Sequence, residues 1–170
     1  RVSIAVEQQL VADTKLLLVA YCLLNHWRVS EIIEHYEIDE FEITTLLAKL
    51  DRLKLLELLP GNRVRMLVAN NFDWLPGGPI DSYFSNAIQH EFFATDFADE
   101  ASLRIVKNGM LSARSLAELH SKLKAIDQHF DELNHGERRV PIHDRHGVTM
   151  ILAIRNWVTS AFVELKRNRR

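Results

Sequence analysis

The order of local signals between residues 13 and 68 constrains this chain more than any other feature: three helical patterns, then a hairpin. The third helical pattern is the clearest. It starts at Asp39, and Ile43, Leu46, Leu47, Leu50 and Leu53 fall on one helical face while Thr44, Thr45, Lys49, Arg52 and Lys54 face away. Directly after it come the apolar run Leu55 to Leu59, the turn formers Pro60, Gly61 and Asn62, and a second run Val64 to Val68, which together make a hairpin signature. Upstream, Asp13 is placed to cap a helix through the apolar run Leu16 to Leu24 and on to about Trp27. Ser30 is placed to cap a short second helix through Glu31, Ile32, Ile33 and Tyr36.

Three helices and a hairpin predict a winged-helix-like module over residues 1–69. In that arrangement the third helix is the candidate groove reader. The candidate DNA-binding residues are therefore Thr44, Thr45, Lys49 and Arg52 on the helix, with Arg63 and Arg65 on the hairpin placed to reach phosphates. Charge argues against a strong nucleic-acid footprint. The first turn of the third helix carries Asp39, Glu40 and Glu42, and residues 1–70 hold 8 Lys plus Arg against 10 Asp plus Glu. The whole chain, with 21 Lys plus Arg against 23 Asp plus Glu, has a formal charge of -2 and no basic surplus. Winged helices also serve as protein-contact modules.

Residues 70–79 read Asn, Asn, Phe, Asp, Trp, Leu, Pro, Gly, Gly, Pro, a turn-rich passage in which Phe72, Trp74 and Leu75 supply apolar anchors. A boundary is expected there, with a second domain over 70–170. Pro79 suits the first turn of a helix, and Ile80, Tyr83, Phe84, Ala87, Ile88 and Phe92 keep a helical period to about Phe93, with Phe97 closing its end against the core. Leu103 to Met110 reads as a strand. Ser115 with Glu118 forms a capping box for a long helix that Gly136 ends. Along that helix Leu116, Leu119, Leu123, Ile126, Phe130 and Leu133 alternate at three and four residues, the seam of helices that pack along their length. They are the candidate dimerisation residues. Val148 to Ile154 reads as a second strand, and Ala161 to Leu165 as part of a terminal helix running into the basic tail Lys166, Arg167, Arg169 and Arg170. The expected fold class is α+β: a winged-helix-like N-terminal module followed by a small α+β domain with a long helix packed on a short sheet.

Several chemistries find no support. The six glycines form neither a dinucleotide fingerprint nor a Walker sequence, and no serine sits in a glycine-flanked elbow. The single cysteine, Cys22, lies in an apolar run unsuited to an activated thiolate and has no disulfide partner within the chain, which fits a reducing, cytoplasmic setting. The apolar run Leu16 to Leu24 is far short of the roughly 20 residues that span a bilayer, so no membrane segment is expected. His143, Asp144 and His146, with His135 upstream, are the one group resembling a metal site and carry the alternative of a metal-dependent enzyme. A polar loop between Pro141 and the next strand explains the same residues better, so no catalytic residue, metal or cofactor is expected. His120 and His129 fall off the helical seam and read as solvent-facing. Tyr83, Phe84, Phe92 and Phe93 could wall an effector pocket, but helical aromatic spacing is first of all core packing.

With these residues in view, the chain resembles the C-terminal portion of bacterial regulators that begin with a lambda-repressor-like (XRE) helix-turn-helix. The resemblance rests on Glu7 to Leu10 (EQQL), Lys15 to Tyr21 (KLLLVAY), Leu47 to Arg52 (LAKLDR), Leu58 to Arg65 (LLPGNRVR), Phe72 to Pro79 (FDWLPGGP) and Asn108 to Ser112 (NGMLS). It implies that the DNA-reading helix-turn-helix precedes Arg1, in keeping with a chain that opens without Met, and no base-reading residue is carried over onto this sequence. The expected function is thus the regulatory part of a bacterial DNA-binding transcription regulator. It is expected to form a homodimer and to respond to a small-molecule effector if one exists, with DNA contacted mainly through the absent segment. The competing expectation is that the winged helix itself binds DNA.

Overall fold

The computed structural model describes residues 2–68 and 74–167. The turn residues 70–73, Phe72 among them, and the tail residues Arg169 and Arg170 lie outside the described residues. The architecture is mixed α and β: helices with one small antiparallel sheet of two strands. Two compact units make up the chain, one of residues Arg1–Lys107 with Asn134–Arg145, the other of Asn108–Leu133 with His146–Arg170.

The first unit opens with helices α1 (Ile4–Ala12) and α2 (Thr14–Leu24), which share Asp13: it closes the former and caps the latter, its carboxylate accepting from Leu16 N at 3.1 Å. Helix α3 (Val29–His35) follows. Its N-cap is Arg28 rather than the expected Ser30, because the Glu31 side chain reaches back 2.7 Å to Arg28 N and satisfies that end of the helix. Helix α4 (Glu40–Arg52) starts where the sequence places it, with Asp39 accepting from Glu42 N at 2.7 Å. Strands β1 (Leu56–Leu59) and β2 (Arg63–Met66) pair in the register Leu56↔Met66 to Leu59↔Arg63. Gly61 (φ 74°) and Asn62 (φ 54°) make the left-handed turn between them.

Why these elements close on one another follows from their apolar faces. Leu16, Val19, Cys22 and Leu23 of α2 meet Ile43, Leu46, Leu47 and Leu50 of α4, with Leu10, Ile32, Leu55 and Leu56 completing a core in which most of these side chains are under 5% exposed. Each fully buried Leu or Ile contributes about 1.5–3 kcal/mol by leaving water. Val64 and Met66 of the hairpin pack on that core from one side. Helix α1 was not anticipated from the sequence pattern; it buries Leu10 and, unusually, Glu7.

Glu7 explains how the chain beyond the hairpin is held. Its carboxyl oxygens accept from Leu75 N at 2.8 Å and Ile80 N at 3.2 Å, and the side chain is 0% exposed. This fastens the turn before α5 (Pro79–Tyr83) to α1, and Ile80 and Trp74 join the core. A Cβ at Gly78 would stand 2.6 Å from Glu7 Oε2 and 2.8 Å from Leu75, so only glycine fits there. Residues 74–83 therefore belong to the same unit as residues 2–68, across the boundary expected at 70. Helix α5 runs through a π-helical turn, Phe84–Ile88, into α6 (Gln89–Phe93), and the Phe97 ring, expected against the core, meets Phe92 and Phe93 instead, with the Arg104 guanidinium 5.2 Å above it.

Residues 134–145 complete this unit as a strap against the end of α2 and the start of α3. Asn134 donates to Asn25 at 3.1 Å, the His26 and His135 rings meet edge to face at 5.0 Å, and Ile142 is buried. Arg145 pairs with Glu31 at 2.8 Å, both side chains 13% exposed, and lies 5.9 Å from the Trp27 ring.

The second unit holds most of α7 (Ala113–Gly136) and α8 (Ser160–Val163). The cap of α7 is Ser112, whose hydroxyl accepts from Ser115 N at 3.3 Å; Glu118, expected to cap, instead pairs with Lys122 one turn on. The strands expected at Leu103–Met110 and Val148–Ile154 are corrected by the structure: neither stretch carries strand pairing, so no short sheet underlies α7 among the described residues. A β-patterned segment becomes a strand only when its backbone donors and acceptors find a neighbour. No helix among the described residues is long and apolar enough to cross a membrane.

Candidate interaction surfaces

The candidate DNA-binding residues lie on α4 and the hairpin, and Thr44, Thr45, Lys49, Arg63 and Arg65 make local bonds. Thr44 Oγ1 donates to Glu40 O at 2.7 Å and accepts from Asn62 Nδ2 at 2.8 Å, which ties α4 to the hairpin turn. Thr45 Oγ1 donates to Phe41 O at 3.2 Å. Lys49 Nζ lies 3.1 Å from Asp13, Lys15 Nζ 2.6 Å from Glu42, and Arg65 pairs with Glu57, its cross-strand neighbour. Arg63 Nε donates to Pro60 O at 3.2 Å. Arg52 borders an open groove of about 420 Å³ with Gln9, Ala12, Asp13, Leu16, Lys49 and Leu53.

Electrostatically, carboxylates of the module itself pair with Lys15, Lys49 and Arg65. Asp13 is the anchor. The Leu16 amide and the Lys49 ammonium hold its carboxyl below the usual value of 3.8, and Lys15 is held above 10.5 chiefly by its bond to Glu42. What the outward stripe of α4 does present is Phe41, 83% exposed, ahead of Thr44 and Thr45. Sequence reasoning passed over Phe41 because it lies off the apolar face, and an off-face aromatic breaks the period that was being read.

Cys22 is fully buried in the core, and burial pushes its thiol up to about 12, the opposite of an activated nucleophile. His143 Nε2 lies 3.6 Å from Asp144 Oδ2, with both side chains well exposed. Among the described residues no three His, Cys, Asp or Glu side chains gather as a metal site would need. Tyr83 and Phe93 are 38% and 44% exposed, and the aromatic contacts in this stretch are between rings.

The six candidate dimerisation residues share one face of α7, where none is buried: Leu116, Leu123 and Phe130 are half-buried, while Leu119, Ile126 and Leu133 are 37%, 48% and 55% exposed. In fact no described residue of the second unit is buried. Comparison with protein-family models, with curated proteins and with solved structures found no match.

Proposed function

We propose that the chain is the regulatory, self-associating part of a bacterial transcription regulator. In this reading the winged-helix-like module contacts protein, and a homodimer forms through the seam of α7. Sequence-specific DNA contact then falls to a helix-turn-helix outside this chain, as the family resemblance implies. The observation that carries the reading is α7: 24 residues with a three-four apolar repeat and no buried side chain. Six apolar side chains in a three-four line along one helix, none of them buried, are the arrangement that two facing helices use. The pairing of Lys49, Lys15 and Arg65 with carboxylates of the same module supports a protein-facing rather than a phosphate-facing role, since a phosphate would have to displace Asp13, Glu42 or Glu57.

The experiment is molar mass by light scattering over a dilution series, with a Leu123→Glu, Ile126→Glu variant beside the parent chain. A dimer that the variant dissociates while its circular dichroism is retained supports the reading; a monomer at every concentration overturns it. The second reading, DNA contact through Thr44, Thr45, Arg52, Arg63 and the hairpin, is favoured by the order of α2, α3, α4, β1 and β2 and by the outward position of Thr44 and Thr45. It predicts binding by this chain that falls steeply with salt.

A further inference from the structure

Resting on the dimer reading above, we infer that the dimer is completed by the segment 148–158, which lies against the second copy rather than in water. Area decides the point. Taking about 100 Å² of apolar surface for a fully exposed aliphatic side chain, the seam of α7 offers only about 200 Å². A stable interface needs roughly 800 Å² from each partner. The seam alone falls well short.

The same unit carries the missing surface. Val148, Met150, Leu152, Ile154, Trp157 and Val158 are 63%, 36%, 40%, 36%, 61% and 42% exposed. Together with the seam, with Met110 and Leu111 before α7, and with Phe162, Val163 and Leu165 near α8, they bring the unit's exposed apolar surface to the order of 800 Å². A total of that order is what each half of a dimer contributes.

Sequence character singles out the 148–158 segment within that surface. Val148 to Ile154 is a near-continuous run of Val, Met, Ile, Leu and Ala, the composition of a strand covered on both faces rather than on one. Yet among the described residues its backbone makes no backbone–backbone hydrogen bond. A segment of such composition whose backbone donors and acceptors are unpaired is a template for another chain. A two-fold dimer offers an identical segment and an identical helix face, because an isologous interface brings the same patch from both copies together. The occupant is therefore a second copy of this chain.

Trp157 reports on this directly, since Trp27 and Trp74 both belong to the first unit. The emission of the full chain minus that of a Trp157→Phe variant isolates it. The expected result is a blue-shifted Trp157 in the dimer that moves to the red on dilution with the same midpoint as the molar mass. Alongside it, Leu152→Asp is expected to raise the dimer dissociation constant at least tenfold while the first unit keeps its helical circular dichroism. A solvent-like Trp157 in a dimer that Leu123→Glu, Ile126→Glu still dissociates overturns the proposal and leaves the α7 dimer standing. Blue-shifted Trp157 emission that persists in the monomer overturns it too, because the segment is then covered by its own chain. A chain that never dimerises removes both.

Discussion

Helices α4 and α7 carry the same kind of apolar repeat and end in different states. In α4, Ile43, Leu46, Leu47 and Leu50 are at most 4% exposed, closed in by α2, α3 and β1. In α7, Leu119, Ile126 and Leu133 remain 37–55% exposed, although the helix is nearly twice as long. The contrast shows what periodicity does and does not specify. A three-four repeat selects which face of a helix must leave water; it says nothing of whether the covering surface comes from the same chain. The first unit meets its own demand with Leu10, Val19 and Leu56, residues from three other elements. Among its described residues the second has one long helix, one short one and chain outside helix or strand, which is too little to enclose a core.

The largest expected effect tests the closed side of this comparison. Leu50→Ala removes a fully buried side chain from the contact between α2 and α4 and should lower unfolding free energy by about 2–5 kcal/mol, read as a fall in the urea midpoint. A loss below about 1 kcal/mol would mean that the face of α4 is no better enclosed than that of α7.

Comparable in size is the clasp that carries the first unit past the hairpin. Glu7→Ala leaves the amides of Leu75 and Ile80 without their acceptor, and each unsatisfied donor costs about 1–3 kcal/mol, so a loss of about 2–6 kcal/mol is expected. Glu7→Gln retains one carbonyl acceptor and should recover part of it. Equal losses in the two variants would show that residues 74–80 are held by the packing of Trp74 and Ile80 and not by the carboxyl group.

How much of this was legible in the sequence depends on how far each determinant reaches along the chain. Local signals were readable: Asp13 and Asp39 as caps, Pro79 at the start of α5, the turn at Gly61 and Asn62, and the apolar face of α4. The ends of α2 and α4 were less so. There the left-handed residues are His26 (φ 66°) and Lys54 (φ 62°) rather than glycine, held by Trp27 N bonding Cys22 O and by Leu55 N bonding Leu50 O. That is why a helix expected to run to about Trp27 stops at Leu24. Long-range partners were invisible. Nothing near Glu7 announces donors 68 and 73 residues away, and nothing near Glu31 announces Arg145. The strands expected at 103–110 and 148–154 had the right residue types, but pairing is a property of two segments and no one-segment pattern contains it. Of the candidate surfaces, the α7 seam was legible as a stripe. The neutralisation of Lys49 and Arg65 was not, since it depends on the packing of α2 beside α4 and on the register of β1 with β2.

A smaller effect is expected at Asp13, where the end of α1, the cap of α2 and the pairing of Lys49 coincide. Asp13→Ala should cost about 1 kcal/mol at neutral pH, in the range of a lost N-cap. The pH dependence fixes its sign. Because the Leu16 amide and Lys49 lower the folded pKa of Asp13 below 3.8, its contribution is fully present above that value and disappears as pH falls through the folded pKa. The parent chain should therefore lose stability faster than Asp13→Ala as pH drops below about 4, and the two acid limbs should converge. Parallel limbs would remove Asp13 as the anchor of this face.

The smallest effect sharpens the comparison most. Leu133→Ala truncates a side chain that is 55% exposed, so in dilute monomer it should change unfolding free energy by less than about 0.5 kcal/mol. The same substitution should weaken self-association measurably, because in the dimer that side chain leaves water. A residue silent in the monomer and costly in the dimer is the behaviour of an apolar face covered by another molecule. If Leu133→Ala were instead as destabilising in the monomer as Leu50→Ala, α7 would be enclosed by its own chain in solution. The difference between the two helices would then be one of degree.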